Sequence, residues 1–209
     1  MSAGACSQRR PRGRAGGNGA EHGPGPVDLN AACSGFIYGL DVALGQLESG
    51  RARGPVLLIG VERFTPHVDY SDRGVAALFG DGAGAVVLAP VAPPYGVETV
   101  VLGADGSKEE YVRLSLSDID AVVTHQANVR MIQFILDRTG ILREKSWFTG
   151  DIYGNTGAAS IPITLQAGVE RGRLGDGDTE LLQPSHSMVH RQGSDLRFHL
   201  PASLDRWPI

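Results

Sequence analysis

The sequence predicts an α/β fold in which helices cover the sheets. Two observations carry this: apolar periodicity switches repeatedly between helical spacing and short continuous runs of strand length, and Gly or Pro clusters separate the segments. The first patterned element is a helix in which Phe36, Leu40, Ala43, Leu44 and Leu47 fall at i, i+4, i+7, i+8 and i+11, with Gly50 placed to close it. "PVLLIGVERF" follows as a continuous apolar run, the mark of a strand covered on both faces. "GVAALFGDGAGAVVLAP" reads as two short strands around a Gly-rich turn, ahead of a passage containing Pro93 and Pro94. "IDAVVTH" reads as another buried strand and "NVRMIQFILDRTG" as an amphipathic helix ending at Gly140. "NTGAASIPITLQAGVERGRL" is the last helix, with Pro162 acceptable only in its first turn, where the missing N–H costs nothing. From about Gln183 neither period holds, although "DLRFHL" fits a short strand.

Composition limits the classes. The 209 residues are 42% hydrophobic, which suits a globular domain and not a disordered chain. No run reaches the roughly 18 to 20 apolar residues that cross a bilayer, and the first residues lack the apolar centre of a secretory signal, so a soluble cytoplasmic protein is expected. Two cysteines make no disulfide framework, and no Cys or His pairs stand at zinc-ligand spacing, so no metal is expected. Residues 1–26 carry Arg9, Arg10, Arg12 and Arg14 against Glu21, a charge of +3 that leaves −7 on the remainder. With seven glycines, three prolines and no large aliphatic side chain, this segment is read as a disordered leader. It lacks the aromatic side chains on which nucleic-acid bases stack, so no nucleic-acid partner is expected.

Three polar residues stand at strand or loop ends. Cys33 in "DLNAACSGFIYGL" lies on a predicted strand-to-helix turn, between a strand ending near Asn30 and a helix starting near Ser34, where free N–H groups and the helix dipole favour a thiolate. The same pattern also suits a small buried cysteine packed against a sheet. His125 follows the strand in "AVVTHQAN", and Asn155 sits in the Gly-flanked turn "YGNTGAAS". Such positions are where α/β sheets place ligand and catalytic groups, although a histidine there also serves structure alone. "FGDGAGA" lacks the glycine spacing of a dinucleotide fingerprint and reads as a tight turn packed near the cysteine.

Taken together, "DLNAACSGFIYGL", "DRGVAALFGDGAGAVVLAP", "THQANVR" and "YGNTGAAS" resemble, in order, the signatures of the β-ketoacyl-acyl carrier protein synthase III family, the initiating condensing enzymes of fatty acid synthesis in the thiolase superfamily. The resemblance covers roughly residues 27–105 and 115–182. It implies a thiolase-like layered α-β-α-β-α fold. It implies Cys33 as the acyl acceptor, with His125 and Asn155 assisting decarboxylation of malonyl carrier protein. Arg73 and Gly74 correspond to coenzyme A contacts, Asn128 to a residue near the pantetheine arm, and Arg130 to one that docks the acidic carrier protein. The implied partners are acyl-CoA, acyl carrier protein and a second copy of the chain, with no cofactor beyond the substrates and no membrane. A thiolase would use a second cysteine as base, and the other one here, Cys6, lies in the leader.

The chain also departs from the family pattern. Only the leader precedes Val27, so most of the amino-terminal half is expected to be missing, as is a strand and long helix near 107–114. "LLQPSHSMVHRQG" stands where the family has a Gly-rich strand turn that completes an oxyanion hole. The expected organisation is a leader over 1–26, the remainder of the first half over 27–106, a shortened second half over 107–182 and an atypical tail over 183–209. Two functions follow: a condensing acyltransferase for fatty acid or polyketide synthesis, or an inactive remnant or accessory subunit of one. A Cys/His thioester hydrolase accounts for the nucleophile but not for the His/Asn pair.

Overall fold

The computed structural model describes residues 26–92, 95–100, 102, 119–175, 178–183 and 194–197. The expected leader apart from Pro26, the segment near 107–114 and most of the expected tail lie outside the described residues.

The elements run α1 (Gly35–Glu48), β1 (Val56–Glu62), β2 (Gly82–Leu88), β3 (Gly96–Val100), β4 (Ala121–Thr124), α2 (Val129–Thr139), α3 (Gly150–Tyr153), α4 (Ser160–Glu170), β5 (Thr179–Gln183) and β6 (Ser194–Arg197). β1 and β2 form an antiparallel pair in register from Val56 opposite Leu88 to Glu62 opposite Gly82. The second sheet has the order β3-β6-β5-β4, with β4 and β5 parallel and the other pairs antiparallel.

Alternation of side chains along the strands builds layers on these sheets. Ala121 and Val123 of β4 and Leu182 of β5 face Phe36, Ile37, Leu40 and Ala43 of α1 and Ile161 and Leu165 of α4. Leu88 of β2 joins the same cluster from the other sheet, so α1 and α4 form a central helical layer with a sheet on either side. Val122 points the opposite way and meets Ile132 and Leu136 of α2, which covers the far face of the larger sheet. The described residues thus supply helix, sheet, helix and sheet of an α-β-α-β-α stack.

Local chemistry explains the element ends. Asn128 caps α2 by accepting a 2.9 Å hydrogen bond from the Arg130 N–H, and Gly140 closes it in the left-handed region at φ 74°. Pro162 falls in the first turn of α4, as expected.

Four expectations need correction. Residues 26–31 form no strand before Cys33. "GVAALFGDGAGAVVLAP" holds one strand, β2, because residues 73–78 turn on themselves, with Val75 and Ala76 N–H bonding the Asp72 carbonyl. β3 and β5 were not anticipated, whereas β6 overlaps "DLRFHL", the one stretch after Gln183 that fitted a short strand. Finally, β1 is covered on one face only: Leu57, Ile59 and Val61 are 55–60% exposed, with Val87 of β2 beside them. Among the described residues, helices lie on just one side of this two-stranded sheet.

The covered face of that sheet carries Val56, Leu58, Val86 and Leu88 at one end and the glycines Gly60, Gly82 and Gly84 towards the other. A Cβ on Gly60 would lie 2.6 Å from the Ala158 carbonyl oxygen, one on Gly80 would overlap the Tyr153 carbonyl, and one on Gly84 would lie 2.9 Å from Pro162. "FGDGAGA" is therefore a packing surface, mostly strand, against which residues 153–163 lie. Gly60→Ala is expected to lower stability by about 1–3 kcal/mol through overpacking, whereas Gly45→Ala, on an open position of α1, should raise it by about 0.5–1 kcal/mol. Urea denaturation midpoints of the two variants check the contrast.

Candidate active site

Cys33 lies in a short 3₁₀ turn, Ala32–Ser34, directly before α1. Ala32 sits at φ 49°, a left-handed conformation that costs a non-glycine residue roughly 1–2 kcal/mol, and the Asn30 side chain holds it by accepting from the Ala32 N–H at 3.1 Å. This forced turn presents Cys33 at the start of the helix. The side chain is half-buried.

The thiol does not behave as its position alone implies. Burial pushes its pKa above the ordinary thiol value, the negative charge of Glu62 adds to the rise, and a backbone hydrogen bond offsets part of it. The expected thiolate at rest is thus corrected to a protonated thiol, because desolvation and a nearby carboxylate outweigh the donors of the helix start.

Asn155 is fixed by main-chain bonds. Its N–H donates to the Leu78 carbonyl at 2.8 Å, and its carbonyl accepts from the Gly80 N–H at 3.1 Å. The side-chain Oδ1 accepts from the Gly157 N–H at 3.0 Å, which leaves the amide NH₂ as the end available to donate. Next in the chain is a second 3₁₀ turn, Gly157–Ala159, which leads into α4. The Cys33 turn and the Gly157–Ala159 turn are in contact, and a Cβ on Gly35 would meet the Ala158 Cβ at 3.4 Å. The structure therefore brings the starts of α1 and α4, and with them the Cys33 and Asn155 turns, side by side.

His125 stands just past the end of β4 and is 1% exposed. Its N–H donates to the Gln183 carbonyl at 2.8 Å, so β5 fixes its backbone. The following residue ties it to the Asn155 segment. Gln126, also buried, accepts from the Thr149 N–H at 2.9 Å and the Gly150 N–H at 3.1 Å, and its amide donates to the Thr124 carbonyl at 3.0 Å. Gly150 opens α3, which ends two residues before Asn155.

The other expected contacts lie on the surface. Arg73 and Gly74 occupy the exposed turn between β1 and β2, where the Gly74 N–H donates to the Asp72 carboxylate at 2.8 Å. Asn128 and Arg130 are exposed at the start of α2, and the Asn128 side chain is engaged as its cap. Among the described residues no group of three His, Cys, Asp or Glu is arranged to hold a metal ion, and no helix is long and apolar enough to cross a membrane.

Sequence reasoning missed Glu62 and Gln126. Glu62 looked like the end of a strand, and its neighbours come from far along the chain. Gln126 sits inside a quoted motif, beside the histidine, and "THQAN" carried its signal. Gln126→Ala strands two backbone N–H groups and is expected to cost about 2–4 kcal/mol, measured by thermal unfolding.

Comparison with known proteins identifies the family. The family of 3-oxoacyl-[acyl-carrier-protein] synthase III matches residues 27–106, and its C-terminal counterpart matches residues 110–185. β-Ketoacyl-[acyl-carrier-protein] synthase III of Deinococcus deserti is 38% identical over 205 residues, an alignment covering 77% of this chain and 58% of that protein. Synthase III 1 of Bacillus cereus is 36% identical over 196 residues, covering 78% of this chain and 63% of the relative. The crystal structure of the Thermus thermophilus synthase III superposes with a TM-score of 0.73 at 32% identity over 82% of this chain and 67% of that one. For the Aquifex aeolicus synthase III the TM-score is 0.67 at 35% identity, over 74% and 61%. The chain spans about three-fifths of the length of the curated relatives it matches. Two family matches that together cover most of the chain, and a thiolase-like layering shared with solved synthases, establish that the chain belongs to the 3-oxoacyl-[acyl-carrier-protein] synthase III family.

Proposed function

We propose that the chain carries the decarboxylative condensation of an acyl-CoA with malonyl-acyl carrier protein, through an acyl group held on Cys33. The observation that carries this reading is the meeting of the Cys33 turn and the Asn155 turn at the starts of α1 and α4, with buried His125 joined to the same segment through Gln126. Cys33 sulfur attacks the thioester carbonyl, the bond to the coenzyme A sulfur breaks, and the thiol proton leaves with that sulfur. Covalent capture divides one difficult transfer into two steps.

Malonyl carrier protein then occupies the site. Loss of carbon dioxide moves the electron pair of the broken C–C bond towards the thioester oxygen, which needs hydrogen-bond donors as charge develops. The Asn155 NH₂ group and a ring N–H of His125 fill that role. The carbanion attacks the acyl carbonyl on Cys33, and the C–S bond breaks to give the β-ketoacyl product and a Cys33 thiolate, which takes a proton from solvent to restore the thiol. Neither step calls for a cofactor beyond the substrates.

Arg73 and Gly74, exposed in the turn after β1, are assigned to coenzyme A, and Asn128 to the pantetheine arm. Arg130 suits an acidic carrier protein, since a cation in the first turn of a helix gains nothing from the helix dipole and is left to a partner. The working form is read as a homodimer in the cytoplasm. Domain limits of 27–106 and 107–182 follow the two halves of the family.

Intact mass after incubation with acetyl-CoA and longer acyl-CoAs tests the first step. A gain of one acyl group that Cys33→Ser lacks is expected; a folded protein that gains none overturns the reading. His125→Ala and Asn155→Ala should each lower malonyl decarboxylation by about 10²- to 10³-fold while the acyl transfer to Cys33 persists. Because the Cys33 pKa is raised, its thiolate fraction at neutral pH lies below that of an ordinary thiol. Its alkylation by iodoacetamide should therefore be slower than that of glutathione at pH 7 and should climb through a higher pH window.

A further inference from the structure

We propose that Glu62 is a positioning residue of the site, whose carboxylate locks the Asn155 turn against the Cys33 turn and whose charge bears on the cysteine. It deepens the reading above and rests on it only for the decarboxylation readout.

Three observations support it. Glu62 ends β1 on the covered face of the sheet, at the end where that face is lined by Gly60, Gly82 and Gly84, while Val56, Leu58, Val86 and Leu88 fill the other end. Its Oε1 accepts from the Ala158 N–H at 3.2 Å, a bond that links residues 96 apart in the chain. Gly157 is held at φ 52°, and a Cβ there would lie 2.7 Å from Glu62 Cγ, so the stem of the side chain packs on the residue whose N–H donates to the Asn155 side chain. The carboxylate thus ties the turn from one side while Asn155 ties it from within.

The second effect is electrostatic. Residues 31–37 and 157–159, which surround the thiol along the two turns, carry no titratable side chain other than Cys33 itself, and Glu62 is the charged group that acts on it. A fixed negative charge disfavours the thiolate but not the neutral thioester. It keeps the resting nucleophile protonated and leaves the uncharged acyl-cysteine itself unaffected. It also stands beside Gly60, Gly82 and Gly84, where an added Cβ would lie under 3 Å from atoms of residues 156–163, so this carboxylate is built into the packing and is no accident of the surface.

The test uses Glu62→Gln and Glu62→Ala in the full chain, with Cys33 read by peptide mass after iodoacetamide labelling across pH, and amide hydrogen exchange read over 157–159. Glu62→Gln keeps the shape and an acceptor for Ala158 N–H but removes the charge. Labelling of Cys33 at pH 7 should rise by about threefold to tenfold, with the whole profile moved to lower pH, while exchange at Ala158 stays as in the parent. Glu62→Ala should show the same profile shift together with faster exchange at 157–159 and, with malonyl carrier protein, at least a tenfold lower decarboxylation rate. An unchanged labelling profile in Glu62→Gln overturns the electrostatic part, and unchanged exchange in Glu62→Ala overturns the lock. Failure of acyl transfer with both shifts intact would count against the proposed function and leave the role of Glu62 standing.

Discussion

The fold depends on a contact between two backbones. Residues 153–163 lie so close to β1 and β2 that Gly60, Gly80 and Gly84 have no room for a Cβ. Close approach lets the Tyr153–Asn155 segment bond directly to Leu78 and Gly80 and seats the start of α4 on the strand pair. Hydrogen bonds then do what side-chain packing does elsewhere. Because backbone groups have fixed reach and hydrogen bonds a narrow range of length, these two bonds fix the position of Asn155 relative to the start of β2.

The second sheet fixes the histidine by a different route. The chain crosses from β4 into the loop at His125, and two neighbours hold that crossing: Gln183 at the end of β5, and Gln126, which reaches across to Thr149 and Gly150. Further along, the Thr149 hydroxyl meets the Thr164 hydroxyl at 2.7 Å, and the Trp147 indole N–H donates to the Thr164 carbonyl at 2.8 Å. α4 therefore carries bonds to both halves of the site. A shift of that helix would disturb the histidine and the asparagine together, which is how a rigid element keeps two groups in mutual register.

Legibility in the sequence followed the strength of local signals. α1, α2 and α4 announced themselves by helical spacing and by Gly50, Gly140 and Pro162; β4 did so by four consecutive buried residues. β3 and β5 did not, because "GVETV" and "TELLQ" mix charged and polar residues into five-residue runs whose strand state comes from pairing with β6 and β4. The double coverage expected of β1 failed for a related reason: Val, Leu and Ile in unbroken sequence say that a strand is apolar, not how many neighbours it has. Cys33, His125 and Asn155 were legible because each stands at an abrupt end of a pattern. The state of the Cys33 thiol was not, since it depends on burial and on Glu62, which is 29 positions away and visible only once β1 is folded beside α1.

The outward face of β1 and β2 has a consequence for how the molecule behaves in water. Leu57 stands opposite Val87, Ile59 opposite Ala85 and Val61 opposite Ala83, so the exposed side chains form one continuous apolar band on a flat two-stranded surface. A net charge of −4 spread over 209 residues gives only weak mutual repulsion against contact through such a band. Among the described residues this band is exposed, and apolar surface of that kind favours retention on a hydrophobic column and association that grows with concentration and with added sulfate.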